Sequence, residues 1–257
     1  MWDAFIGFFI NTLLFIYQLV GNFGVAIILF TILIRLVTHP LTVQQLKGSA
    51  AMQELQKDKR WQEIQTKYKN DKEKLAQEQM KLYQELGINP MASCLPTLIQ
   101  LPIIIGLYQA VIKALATTPL ELLNLTRHVY PSLLNVASII PLDNRFLWMD
   151  LARPDWLRLD FLPFGIPVLA IVVTITTYLQ SKLMSPPSTG PKDQTAMMTS
   201  MMNLYMPFLM GYLALTFASG LSLYFFVSNV IGILQYALLG KVNWRNLFPA
   251  RKPVGTK

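Results

Sequence analysis

The sequence predicts an all-α polytopic membrane protein with a five-span core, and three observations carry that prediction. Of the 257 residues 53% are hydrophobic and only 14% charged, with a mean hydropathy of +0.40, where an ordinary soluble domain is about 25% charged. Several apolar runs approach the roughly 20 residues that cross about 30 Å of hydrocarbon. The Lys and Arg residues gather mainly between and after those runs, so the formal charge of +8 matters less than its distribution. The lone Cys94 excludes an intrachain disulfide and a multi-cysteine metal site.

Residues 1–20 (MWDAFIGFFINTLLFIYQLV) mix bulky apolar residues with Asn11, Tyr17 and Gln18 and stop at Gly21-Asn22. By composition this segment can span or lie flat, and Trp2 and Tyr17 suit the headgroup level. Before Arg35 there is Asp3 but no Lys or Arg. A secretory n-region is therefore missing, and the start is expected to be mature sequence. Residues 21–41 form the first confident span, closed by Pro40, which a preceding helix tolerates poorly. Residues 95–115 form the second; its Pro96 and Pro102 are acceptable in lipid where neighbours satisfy the freed carbonyls. Residues 162–183 form the third. Residues 203–217 and 221–239 form the fourth and fifth, separated only by Ala218-Ser219-Gly220, so they must pair antiparallel.

Between the first two spans, residues 42–87 are dense in Lys, Glu and Gln. Their apolar residues Met52, Leu55, Trp61, Ile64 and Tyr68, then Leu75, Leu82 and Leu86, recur at helical spacing. Asn70-Asp71 supplies a turn. The segment reads as a water-exposed helical hairpin, since a disordered charged loop would lack the apolar stripe.

Basic residues set the orientation. The hairpin is Lys-rich, the loop after the third span holds Lys182 and Lys192, and the tail 240–257 holds Lys241, Arg245, Arg251, Lys252 and Lys257. The opposite segment, 116–161, balances four Arg with acidic residues. By the positive-inside rule the hairpin, loop and tail are cytoplasmic and the first confident span starts outside.

One charge departs from this order. Arg35 lies inside "LFTILIRLVTHPL" (29–41), and the five spans contain no Asp or Glu. Two readings stand. Arg35 sits six residues, or about 9 Å, from the end of its span, so its long side chain can snorkel to the headgroups. Alternatively it faces a wet cavity open to the cytoplasm, as intramembrane charges usually do. Gln100, Thr174, Thr177, Gln180, Ser222, Asn229 and Gln235 on other spans could line such a cavity, although each alone reads more simply as an interhelical hydrogen bond.

The blocks "GVAIILFTILIRLVTHPLT", "NPMASCLPTLIQLPIIIGLYQA", "FLWMDLARPDW", "QSKLMSP" and "MPFLMGYLALTFASGLSLYFFVSNVIGILQ", in order along nearly the whole chain, resemble the YidC/Oxa/Alb family of membrane protein insertases. The resemblance implies a bacterial plasma (inner) membrane protein with its amino terminus outside and its carboxyl terminus cytoplasmic. It also implies that Arg35 lines a groove open to cytoplasm and lipid, with Gln100, Gln180, Thr177, Ser222, Phe225, Asn229 and Gln235 as further client-binding candidates. In the short forms of the family, without a large periplasmic domain, the segment before the first core span lies along the outer interface, and residues 1–20 are assigned so. Two departures are Ser93, where the family often has Gly, and Phe225, where some relatives carry Trp and its N–H donor.

The implied partners are nascent membrane proteins, the ribosome, the Sec translocon and membrane lipids, with no cofactor and no enzymatic activity. Trp61, Tyr68, Asn70, Asp71 and Lys72 are the candidates for cytoplasmic docking. Lys241, Arg245, Arg251 and Lys252 could meet ribosomal RNA or anionic lipid, since both reward clustered cations. Met197, Met198, Met201 and Met202 resemble an adaptable apolar contact, with plain packing an equal alternative. A solute or ion transporter is the main rival, but internal repeats, acidic pairs and Gly-broken helix pairs are not evident. An intramembrane enzyme is disfavoured because His39, His128 and Cys94 do not assemble a catalytic constellation.

Overall fold

The computed structural model describes residues 2–68, 71–88, 95–115, 125, 129–130, 142–157, 165–184 and 194–240. It comprises two units, one of residues 1–35, 104–185 and 201–257, the other of residues 36–103 and 186–200.

In the first unit, α1 (Trp2–Val20) buries Ile6, Phe9, Ile10, Leu13 and Leu14, a stripe at spacings of three and four. That stripe meets α2 (Phe23–Val37), where Phe9 and Phe30 set their rings edge to face at 5.4 Å. The reversal between them is local chemistry. Gly21 takes φ 71°, which ends α1 without a Cβ penalty, and the Asn22 side chain accepts from Val25 N at 3.1 Å to start α2.

The central helix of this unit follows later in the chain. Among the described residues, α3 (His39–Lys57), α4 (Lys59–Lys67) and α5 (Lys72–Glu85) come next, then α6 (Leu95–Ala114). After these come α7 (Val168–Met184), α8 (Gln194–Thr216) and α9 (Ser219–Leu238). Every residue from Ser219 to Phe225 is buried, so α9 is enclosed over its first two turns. α7 packs along it.

One strap, residues 142–157, ties together the ends of four helices. It holds a two-stranded hairpin, β1 (Arg145–Phe146) and β2 (Met149–Asp150), which the all-helical expectation did not include. Tyr17 near the end of α1 accepts from Asp143 N at 3.1 Å, and Asn22 before α2 donates to Arg145 O at 3.4 Å. At the start of α9, Ser219 N donates to Arg153 O at 2.8 Å and Gly220 N to Leu151 O at 3.1 Å. The buried Asp155 carboxylate accepts from Leu169 N at 2.9 Å in the first turn of α7. The last three bonds satisfy N–H groups in the first turns of α9 and α7 that would otherwise be orphaned. Together the strap's bonds place the end of α1 and the starts of α2, α7 and α9 at one end of the unit.

The second unit contains the hairpin. Leu55, Trp61 and Leu82 form its core, with Ile64, Tyr83 and Ile88 packed around them, and burial there pushes the Tyr83 hydroxyl above its ordinary range. Its first arm is broken, unlike the single arm expected from the periodicity. Asp58 leaves the helical conformation (φ −65°, ψ 135°) and accepts from Arg60 N at 2.8 Å, which starts α4 as a new helix.

Boundaries also shift. α2 ends at Val37 rather than 41, because Pro40 is accommodated in the first turn of α3, where its missing N–H costs nothing. α7 begins at Val168 rather than 162, and α8 at Gln194, inside the expected loop 184–202. By length and composition α1 and α9 can cross a membrane; Phe23–Val37, Leu101–Ala114, Val168–Met184 and Leu204–Thr216 are apolar but shorter.

Candidate functional site

Arg35 is the centre of a polar seam inside the first unit. Its side chain is partly buried, and both Nε (2.9 Å) and one terminal nitrogen (2.5 Å) donate to Ser228 Oγ on α9. Gln235, one turn short of the end of α9, donates to the Arg35 carbonyl at 3.2 Å. On the α7 side, Asn229 Nδ2 donates to Thr177 Oγ1 at 2.8 Å and to Thr176 Oγ1 at 3.2 Å.

Gly232 permits the convergence. A Cβ at that position would lie 2.9 Å from Gln180 Nε2 and 3.9 Å from an Arg35 terminal nitrogen. Two long polar side chains thus approach the α9 backbone at a position where no side chain obstructs them.

Depth follows from helix rise. Ser228 and Gly232 lie nine and thirteen residues into α9, or about 14 and 20 Å from its strapped end at 1.5 Å per residue. The guanidinium therefore sits in the middle third of a helix about 30 Å long.

Of the residues singled out in the sequence, the structure places Gln180 and Gln235 near Arg35 and joins Thr177 to Asn229, the neighbour of Ser228. Ser222 is elsewhere: its hydroxyl is buried and donates to Ala214 O of α8 at 3.2 Å, an interhelical bond away from the seam. Phe225 is buried beside Tyr224, with ring centroids 5.8 Å apart. Gln100 lies on α6 with its side chain outside the described residues, as do the side chains of Met197, Met198, Met201 and Met202 on α8. The sequence reading missed Ser228, Gly232 and Thr176. Ser228, Gly232 and Gln235 recur at i, i+4 and i+7 on α9, a spacing that marks one face and could have revealed them.

In the hairpin, Trp61 is corrected from a docking residue to a core residue: it is 3% exposed, and its ring stands 5.5 Å from that of Tyr83. An indole surrounded by Leu55 and Leu82 cannot be offered to a partner while the hairpin is folded. Asp71 caps α5 by accepting from Lys74 N at 3.1 Å, and Lys67 Nζ stands 5.3 Å from the Tyr68 ring. Asn70, the Lys72 side chain and Lys241, Arg245, Arg251 and Lys252 lie outside the described residues.

Fold and site together define a helical membrane protein whose polar side chains converge on one arginine at mid-helix depth. The family model of the 60Kd inner membrane protein matches residues 15–245, so the chain belongs to that family, the bacterial YidC membrane protein insertases. It is similar to the membrane protein insertase MisCA of Bacillus subtilis, 35% identical over 93% of this chain and 78% of the relative. The insertase YidC of Oceanobacillus iheyensis is 35% identical over 86% of this chain and 75% of the relative. That of Fusobacterium nucleatum is 35% identical over 92% and 94%. A crystal structure of an active YidC insertase with its first transmembrane domain resolved shares the fold, with a TM-score of 0.55 at 24% identity. That likeness covers 92% of this chain and 46% of the solved one.

Proposed function

We propose that the chain inserts client proteins into a bacterial membrane by presenting Arg35 as a transient counter-charge in a groove open to the cytoplasm. A client's apolar helix partitions into lipid unaided; its polar flank is the obstacle. A charged side chain at the bilayer centre costs roughly 2.5 to 3.5 kcal/mol on insertion scales. A hydrated seam reaching mid-helix shortens the dry distance. Arg35 adds at most about 4 kcal/mol for a 4 Å contact with an acidic client residue at an effective dielectric near 20. A membrane potential negative inside contributes roughly 2.3 kcal/mol per 100 mV for each negative charge moved outward. The contact has to be weak enough to release the client.

The observation that carries this reading is the position of the guanidinium, held on Ser228 in the middle third of α9 rather than extended past the end of its own helix. A snorkelling arginine would place its charge at the interface. In this reading the strapped end faces outward and the hairpin and tail face the cytoplasm, where Tyr68, Asn70, Asp71 and Lys72 meet delivered clients. The basic tail approaches the ribosome or anionic lipid, and the protein acts on nascent membrane proteins alone or beside the Sec translocon.

The experiment is site-specific photocrosslinking from positions 35 and 180 to ribosome-bound nascent membrane proteins, with insertion measured for Arg35→Ala and Arg35→Lys. Crosslinks from both positions, and greater loss with alanine than with lysine, are the expected results. No crosslinks, with unimpaired insertion by the alanine variant, would refute it.

A further inference from the structure

The hairpin tip in the outer strap carries a feature that packing within the protein does not explain. β1 and β2 are joined by the two-residue turn Leu147-Trp148. Leu147 has φ 55°, a left-handed conformation, at the first central position, where tight hairpin turns ordinarily place glycine. A bulky apolar residue held there marks a site where a local backbone preference has been overridden.

That overridden preference places no side chain in the core. Leu147 is 74% exposed and Trp148 50% exposed. The residues beneath them do the packing: Met149 is buried, and the Phe146 ring lies against the Gly24 backbone of α2, where a Cβ would collide with it. The base of the hairpin is pinned by side-chain and backbone bonds. Asp150 Oδ1 accepts from Asn144 Nδ2 at 2.8 Å and from Ala152 N at 3.0 Å, and Leu151 N donates to Asn144 O at 2.8 Å.

The surroundings point to the occupant. Asn22, before α2, donates to the hairpin at Arg145 O, and Tyr17, in the last turn of α1, accepts from Asp143 N just ahead of it. The adjoining surface of α1 is apolar too: Leu19 is 71% exposed and Val20 38%. Exposed apolar side chains thus occur both at the end of α1 and at the tip. Arg145 and Arg153, both exposed, lie on either side of the tip in the sequence, and Arg153 Nε stands 3.8 Å from an Asp150 carboxylate oxygen. Tryptophan is enriched at the membrane–water interface because its ring is apolar and its N–H is polar.

We propose that Leu147 and Trp148 form a lipid anchor, a two-residue tip that enters the headgroup boundary of the leaflet meeting the strapped end and fixes the depth of α2, α7 and α9. The proposal depends on the membrane insertion of the bundle and not on the counter-charge role of Arg35, so either can fail without the other.

The test uses the full chain in nanodiscs of phosphatidylethanolamine and phosphatidylglycerol, with Cys94→Ser and Leu147→Cys carrying an environment-sensitive fluorophore. Nitroxide lipids with the spin label near the headgroup or deep in the acyl chain report depth. At position 147 the shallow nitroxide is expected to quench at least twofold more than the deep one, and at least twofold more than it quenches the same label at Gln62, an exposed position on α4. Quenching at 147 no greater than at 62, with water-like emission, would overturn the proposal. As a check independent of the cysteine variant, lipids brominated at shallow carbons are expected to quench tryptophan emission in the unaltered chain more than in Trp148→Phe. Equal quenching in the two would also overturn it.

Discussion

Replacing Ser228 with alanine separates a positioned arginine from one that merely resides in the seam. Two guanidinium nitrogens donate to the single Ser228 oxygen, at 2.9 and 2.5 Å. A hydrogen bond to a charged group contributes about 1.5 to 3 kcal/mol. One acceptor serves both donors, and Arg35 is only partly buried, so water can replace part of the loss and the lower end of about 1.5 kcal/mol applies. That corresponds to about a tenfold slower insertion of a client with an acidic flank. The fold should be little affected, since alanine is the better helix former by a few tenths of a kcal/mol. The assay is protease protection of the inserted client, measured for Ser228→Ala, Arg35→Ala and the double variant. If Ser228 acts through Arg35, the serine change costs nothing further once the arginine is gone. Equal losses from Ser228→Ala in both backgrounds would refute the reasoning, as would an unchanged or faster rate in the otherwise unaltered chain.

Three further outcomes follow from the same geometry. Asn229→Ala removes the bonds to Thr176 and Thr177 between α7 and α9 and should lower stability by about 0.6 to 1.7 kcal/mol, read as a lower thermal midpoint in detergent. Asp155→Ala removes the acceptor at the first turn of α7 and should cost about 1 to 2 kcal/mol; Asp155→Asn, which keeps an acceptor oxygen, should retain most of the midpoint. Trp61→Ala empties the hairpin core at a local cost of about 3 to 5 kcal/mol. Hydrogen exchange should accelerate through α4 and α5 while the α9 amides stay protected.

The membrane class and the helical fold were legible because apolar run length and charge segregation report directly on partitioning. Arg35 was legible for the same reason, as a charge where the pattern forbids one. The partners of Arg35 were harder to read. Ser228 and Gly232 are small residues with weak hydropathy; their spacing with Gln235 marks one face of α9, but that the face meets Arg35 emerges only when α2 and α9 are side by side. Ser222 stood out in the sequence as a polar residue in the fifth span, yet it bonds the Ala214 carbonyl of α8, because the six-residue step along the helix between it and Ser228 turns it to another neighbour. Trp61 showed its apolar spacing clearly, but a stripe does not reveal whether it faces a core or a partner. The break at Asp58 depended on a single cap competing with a continuous helix. The short β-hairpin had too few residues to show a period.

The central claim is that the charge on Arg35 is matched to acidic residues in the client. Its most direct measurement is the ratio of insertion rates for two clients that differ only by Asp versus Asn in the outward-moving flank, in the unaltered chain and in Arg35→Ala. The account predicts that the alanine variant slows the Asp client severalfold more than the Asn client. Equal slowing of both would contradict it.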